Sequence, residues 1–389
     1  MSLIKNLYPQ NNAFTRNPIV ISVSAPTLAT YKVYADGNLM FTGNGIGDFT
    51  VNISEILETV FGETDAPSGN AMLLMFAQQN NYTHVTFEVN TTSDNTETVQ
   101  LIAWKGGINK TDYRYLRNQG TDIFSAKFRN YSGNFFFTTR TYGWAITMKE
   151  TELEPLAFIM PQISGEEQGH ISVKEVVTGH TVQIEGAPDI LMALNMEAVR
   201  KHFYVQYGVL ANLFDIMNPY HPGRTACRIA IEEAPGAQER CAVRFLNSFG
   251  VYERIDLVGK ATIQLAGNQD EDTVYQVYDE DTDSFTKKRV RIPIGSTYKI
   301  QTGIKRGDEL AFIQDMLASD SVYLALPDQE IKVIPSFEQA TRAYVQTEPE
   351  SMDITFKPVE DESNMSPRRT KYGTTRPRIF TSVFSEQFN

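Results

Sequence analysis

Few residues in this 389-residue chain have both the type and the spacing to do chemistry. Its five histidines, His84, His170, His180, His202 and His221, include no metal-binding pair of the HExxH kind, and none lies beside a nucleophile motif. No G-x-S-x-G, P-loop or dinucleotide fingerprint followed by an acidic residue occurs. GNGIGD at 43–48 has the look of a glycine fingerprint, but it joins two segments rich in β-formers and reads as a hairpin turn. Beyond Asp270-Glu271-Asp272, the segment YDEDTDSF, with Asp279, Asp281 and Asp283, opens like a calcium loop. It then puts Ser284 where that loop needs glycine and Val290 where it needs glutamate, so it reads as a solvated acidic loop. Glu152 and Glu154 would share one face of a strand, as paired carboxylates of a glycosidase do, but no sugar cleft is announced around them. No catalytic constellation emerges, so the expectation is a protein that is not an enzyme and uses no cofactor and no metal.

The two cysteines, Cys227 and Cys241, flank a segment that reads as a hairpin turning near Pro235 and Gly236. That register pairs Cys227 with Phe245 and Cys241 with Ile231, leaving the sulfurs roughly 13 Å apart along the ladder. A disulfide needs Cα atoms within about 7 Å. Both are therefore expected to be buried free thiols, and the chain to mature in a reducing cytoplasm.

Composition narrows the class. Hydrophobic residues make up 41% and charged residues 21%, which excludes a wholly disordered chain. The net charge of -12 opposes broad nucleic-acid binding, which needs basic surface to displace counterions. No apolar run of about 18 residues is present, so no membrane insertion is expected. The opening MSLIKNLYPQNNAF has neither an apolar signal core nor a cleavage site, which argues against classical secretion. The aromatic load is high, with 23 Phe and 18 Tyr.

The elements that would position any site are mostly strands. PIVISVSA, ATYKVYADG, LMFTGNG, FTVNIS, HVTFEVN and TVQLIAW combine β-branched and aromatic residues with turn residues at their ends. They predict an N-terminal β-sandwich domain over 1–105, interrupted by a helix at SEILETVFG capped by Ser54. Residues 106–154 form an aromatic-rich connector with strand-like cores at NFFFTTRT and WAITMKETEL. Phe135, Phe136 and Phe137 cannot all point to one side of a strand, so both faces must be covered. A contact between domains or subunits and an ordinary buried core strand remain equal alternatives there.

A central β domain is expected over 155–266, with a helix at LNMEAVRKHF, and a third β-rich region over 267–358. The latter has one helix at GDELAFIQDMLAS, with Leu310, Ile313 and Leu317 on one face and Asp308 at its start. Residues 359–389 read as a C-terminal arm. Acids come first, then Arg368, Arg369, Lys371, Arg376 and Arg378, then Phe380, Phe384 and Phe388 at four-residue spacing. The fold class expected is mainly β, with multi-domain antiparallel β-sandwich or barrel-like domains, a few short helices and an extended C-terminal arm. Basic charge on an arm of an acidic chain suits an acidic patch of a neighbouring subunit better than nucleic acid. The candidate assembly contacts are Phe135, Phe136, Phe137, Trp144, Arg368, Arg369, Phe380, Phe384 and Phe388.

Several segments are similar to a group of tail proteins of phages and prophages of Bacteroides-type bacteria. These are WKGGINK at 104–110, NFFFTTRT at 134–141, ETELEPLAF at 150–158, RFLNSFGVYERIDLVGK at 244–260, ELAFIQDMLASDSVYL at 309–324 and SEQFN at 385–389. The resemblance implies a structural virion protein of the tail tip, baseplate or neck. A signal-less multi-domain β protein with an aromatic connector and a terminal arm suits a subunit assembled in the host cytoplasm, as a homo-oligomeric ring. Its partners would be copies of itself and neighbouring virion proteins. It carries over no functional residue set, and Asn247 and Gly250 read as a strand-ending turn. The alternative is a receptor- or carbohydrate-binding adhesin at the particle tip, for which only Trp104 and Trp144 offer indole platforms.

Overall fold

The structure is a computed structural model that describes residues 3–62, 73–78, 81–91, 95–140, 145–234, 240–267, 274–289, 294–303, 307–325, 330–336 and 351–360. The protein is mainly β, with several sheets and a few short helices, as its sequence pattern requires. Its contacts group into two compact units. One is Met1–Glu233 with Leu246–Glu253, and the other is Ala234–Phe245 with Arg254–Asn389. The positions 105 and 154 drawn from the sequence both fall inside the first unit.

The first unit opens with β1 (Ile4–Tyr8), β2 (Asn12–Phe14), β3 (Val20–Ala35) and β4 (Asn38–Asn52), followed by α1 (Ser54–Glu58). After β5 (Met75–Ala77) come β6 (Tyr82–Thr91) and β7 (Thr96–Trp104). The first sheet runs β1-β3-β6-β7-β2, with β4 along the other side of β3. Alternation sets its faces: Ile21, Val23, Ala29, Val33, Val85, Phe87 and Val89 go inward. Lys32 and Glu88, directly opposite in the ladder, pair on the other face.

GNGIGD is not a turn. It lies inside β4, which pairs with β3 from Asn38 to Asn52, and the chain reverses at Asp36 and Gly37 instead. The glycines serve packing: a Cβ at Gly43 would strike the Tyr31 ring, and one at Gly45 the Phe49 ring. The register slips between Ala25 and Ala29, where β3 bulges and exposes Pro26, Thr27 and Leu28. In α1, Ser54 is the first helical residue rather than the cap; Asn52 Oδ1 accepts from both Ser54 N and Ile19 N.

The stretch read as a connector is helical in two places. The helix α2 (Lys110–Asn118) begins at Asn109, whose side chain accepts from Asp112 N at 2.8 Å, and buries Tyr113 and Leu116. A π-helix over Phe124–Phe128 buries both its phenylalanines.

Then follow β8 (Ala145–Lys149), β9 (Leu156–Ile159), β10 (Gly169–Glu175), β11 (Thr181–Gly186), β12 (Leu191–Leu194), α3 (Met196–Tyr207), β13 (Leu213–Met217) and β14 (Thr225–Glu232). They form a five-stranded sheet, β11-β10-β13-β14-β8, and a three-stranded one, β5-β12-β9. Strands β9 and β12 are buried at every position, hence their unbroken apolar runs. Asn195 caps α3 and Gly208, left-handed at φ +69°, ends it.

The second unit takes all but the Leu246 end of β15 (Cys241–Leu246) and all but the Tyr252–Glu253 start of β16 (Tyr252–Leu257), followed by β17 (Ala261–Gly267), β18 (Val274–Asp279), β19 (Ser284–Arg289) and β20 (Ile294–Gln301). After α4 (Gly307–Ala318) come β21 (Val322–Ala325), β22 (Glu330–Ser336) and β23 (Asp353–Pro358). Seven strands run β16-β15-β21-β22-β23-β20-β17, and β18-β19 is a separate ribbon whose connecting turn holds the acidic residues Glu280, Asp281 and Asp283. Leu310 and Ile313 of α4 are buried and Leu317 is partly so, while Phe312 meets Phe245 at 5.0 Å. The hairpin expected between the cysteines does not form. Strand β14 pairs with β13 and β8, and β15 with β16 and β21. Both thiols are free, Cys227 buried and Cys241 half-buried.

Two glycines can be tested directly. Gly43→Val should destabilise the first unit by about 1–3 kcal/mol, because the Tyr31 ring must leave its seat. Gly250, at φ +78°, would carry a Cβ into the Lys105 backbone, whereas Gly223, at φ +84°, faces open space. Gly250→Ala should therefore lower the urea midpoint clearly more than Gly223→Ala, by roughly 1–3 kcal/mol of added cost. Equal midpoints would deny that close approach.

Candidate functional site

The three consecutive phenylalanines are the natural starting point. They do not lie on a strand: Asn134 Oδ1 accepts from Phe136 N, and Thr138 N donates back to Phe136 O at 2.8 Å. These bends send neighbouring rings into different cores. Phe135 and Phe136 stack at 4.6 Å and meet Phe158 edge-on in the core under the five-stranded sheet. Phe137 stacks on Phe128 at 4.0 Å in a second cluster with Phe14, Trp104 and Phe124. All three are buried within one chain, so they offer no surface to a neighbour. Trp144, Arg368, Arg369, Phe380, Phe384 and Phe388 lie outside the described residues.

Glu152 and Glu154 are in a loop, not on a strand. Glu152 is buried against Arg140, Nη1 to Oε2 at 2.6 Å, and receives Lys149 N as well. A carboxylate so paired is held by its structure.

The second aromatic cluster has a polar heart. The turn Leu246–Glu253 belongs to the first unit and brings Asn247, fully buried, under the Phe137 backbone. Asn247 Oδ1 accepts from Phe249 N at 2.9 Å and Val251 N at 3.2 Å. Its Nδ2 donates to Phe137 O at 2.9 Å and Glu253 Oε2 at 2.6 Å. The other oxygen of Glu253 accepts from Thr138 Oγ1. Lys127, on the π-helix, reaches the same place, with Nζ 3.4 Å from Thr138 O, 4.8 Å from the Phe249 ring centre and 5.1 Å from that of Phe128. Burial pushes its amine down to about 8, against the opposing pull of Glu253 and then of Cys227. Cys227 itself is pushed up to about 12 by burial.

Around this heart the backbone is drawn tight. Asn81 Nδ2 donates to Gly250 O at 3.0 Å, and Gly107 N to Ser248 O at 2.7 Å. Gly106, at φ +117°, has no room for a side chain beside Ser248 and Phe249. The sequence reading reached Asn247 and Gly250 as turn residues but missed Lys127, Thr138 and Glu253. The available signal was a polar residue set directly against an aromatic run: Thr138 after three phenylalanines, Glu253 after Tyr252.

The outer surface is of another kind. Leu28, Leu39, Met40, Phe41 and Ile46 are exposed along the β3–β4 ribbon of the first unit. On the inward face of that ribbon the Tyr31 ring lies 6.1 Å from Phe41 and 6.0 Å from Phe49, backed by Phe87 at 5.7 Å. In the second unit Ile263 and Leu265 are exposed on β17, and Tyr275, Tyr278 and Phe285 on the β18–β19 ribbon. Among the described residues no cluster of three or more His, Cys, Asp or Glu could hold a metal ion. No described helix is long and apolar enough to cross a membrane.

No protein-family profile matches the chain, and no curated protein does. Among solved structures it is similar to the periplasmic chaperone SfaE, at 8% identity and a TM-score of 0.17, covering 58% of this chain and 96% of that one. A structure concerned with host cell surface retention of a bacterial ice-binding adhesin aligns at 5% identity and a TM-score of 0.14, covering 91% and 95%. An adhesin with which an Antarctic bacterium binds ice aligns at 8% identity and a TM-score of 0.14, covering 91% and 97%. At such scores these likenesses carry no argument about this chain.

Proposed function

We propose that the chain is a structural subunit of a phage or phage-like tail, in the tip, baseplate or neck, that binds copies of itself and neighbouring virion proteins in a ring. Its work is association, not catalysis. The observation that supports this reading is β4. It is an edge of 15 residues whose described hydrogen-bonded neighbour is β3 alone. Asp48 is its single charged residue, Leu39 is 55% exposed and Ile46 66%. Edge strands of monomeric proteins are guarded by lysine, proline or brevity, because free backbone donors and acceptors recruit another strand. β4 has none of those guards. A surface of this kind is covered in use, and a contact with another protein chain covers it at least cost.

A second reading, a receptor- or carbohydrate-binding adhesin at the particle tip, is favoured by one observation: the row of Tyr31, Phe41 and Phe49 rings, partly exposed, over glycine backbone. Such rings can stack on the apolar face of a sugar. Binding of the isolated protein on a glycan array, lost in Tyr31→Ala, would favour it over the assembly role.

The assembly reading predicts that the purified full chain forms concentration-dependent oligomers in sedimentation velocity. Replacing Leu39 and Ile46 with lysine should weaken association by about tenfold or more, with an unchanged circular dichroism spectrum. A wild-type chain that stays monomeric at its highest soluble concentration, or a double variant that associates as well as wild type, would overturn the role given to β4.

A further inference from the structure

The polar heart of the aromatic cluster has the parts of a self-modifying site. We propose that Lys127 and Asn247 join in an intramolecular isopeptide bond, with Glu253 moving the protons.

Three observations carry this. First, the nucleophile is half-buried against two aromatic rings. The Lys127 amine lies between the Phe128 and Phe249 rings with a backbone carbonyl, that of Thr138, as its hydrogen-bond acceptor at 3.4 Å. Burial holds it near 8, so roughly a tenth of the amine is neutral and nucleophilic at pH 7. The neighbouring Cys227 thiol is pushed the other way, to about 12, and does not compete as a thiolate.

Second, the electrophile is polarised. The carboxamide oxygen of Asn247 sits between two backbone N–H donors, Phe249 at 2.9 Å and Val251 at 3.2 Å. That pair would hold the negative oxygen of a tetrahedral intermediate, already oriented and away from water.

Third, a buried carboxylate touches the leaving group. Glu253 Oε2 is 2.6 Å from Asn247 Nδ2, and Thr138 Oγ1 fixes the other oxygen. The carbonyls of two consecutive residues, Phe137 and Thr138, hold the amide nitrogen and the lysine amine respectively. Nucleophile and leaving group are therefore held by two adjacent peptide units of one short segment.

The step balances without any other reagent. Neutral Nζ attacks Cγ of Asn247 and the new C–N bond forms, with the charge passing to Oδ1. A proton leaves Nζ for Glu253 and passes from Glu253 to Nδ2. The Cγ–Nδ2 bond breaks, ammonia departs, and Lys127 and Asn247 remain as a secondary amide. Glu253 ends as it began. Full burial of Asn247 also keeps water from hydrolysing its side-chain amide instead.

Intact-mass spectrometry of the denatured full chain tests this directly. The expected mass is about 17 Da below that of the sequence, the mass of one ammonia, with a branched peptide joining Lys127 to Asn247 after digestion. Lys127→Arg and Glu253→Gln should each restore the full mass and remove the branched peptide. A wild-type chain of full mass with no branched peptide overturns the proposal, and needs no variant to fold. A loss of the same size that persists in Lys127→Arg would mark a succinimide at Asn247–Ser248 and overturn it as well.

Discussion

A fully buried carboxamide must have its oxygen and both of its protons satisfied inside the protein, and at Asn247 that requirement organises much of the first unit. Two backbone donors of its own turn take the oxygen, while Phe137 O and Glu253 take the nitrogen. Each partner imposes a further condition. The turn must be tight enough to need Gly250 in the left-handed region, and Gly106 must be bare for the turn to lie against it. The chain must bend at Phe136–Thr138 to present two carbonyls and a hydroxyl inward. That bend, in turn, divides the three phenylalanines between two cores.

The aromatic content takes on a different meaning in this light. The rings do not wait on a connector for another subunit. They make the low-dielectric shell in which the Asn247–Glu253–Thr138 bonds are strong and in which an unpaired group would be expensive. Lys127 shows the same effect from the other side. Its charge is disfavoured by the shell, offset in part by Glu253 and by the faces of Phe128 and Phe249.

The sheets were legible in the sequence because burial imposes period two on a strand, and Ile21-Ser22-Val23 or Val85-Thr86-Phe87 shows it plainly. The helices α3 and α4 were legible through their apolar faces. What failed had physical causes. A glycine triplet in β4 imitates a turn, since glycine marks both a reversal and a place where a ring lies flat on the backbone. The cysteine hairpin failed because proximity in sequence outweighed the parallel partner β8, which no local pattern announces. The strand expected at Phe135–Phe137 is an irregular segment pinned by side-chain bonds to residues more than a hundred positions away. Such a site is assembled by tertiary structure and leaves only polar residues in apolar company as its trace.

Under the assembly role proposed for β4, the buried network and the exposed strands would answer two different needs of the same molecule. Association costs translational, rotational and side-chain freedom, and a partner that must also order its backbone spends part of each contact on itself. In that role the Asn247 network would lower that internal cost for the first unit, because it ties chain segments to one another within a single chain. The register of β4 is fixed by the packing of Tyr31 and Phe49 over its glycines, with Phe87 stacked behind Tyr31. A slip of β4 against β3 by one residue would carry Phe41 and Phe49 away from Tyr31 to the opposite face, so this packing sets the face that β4 presents. Under the proposed assembly role, the packed core would thereby set which face of the edge a partner strand meets.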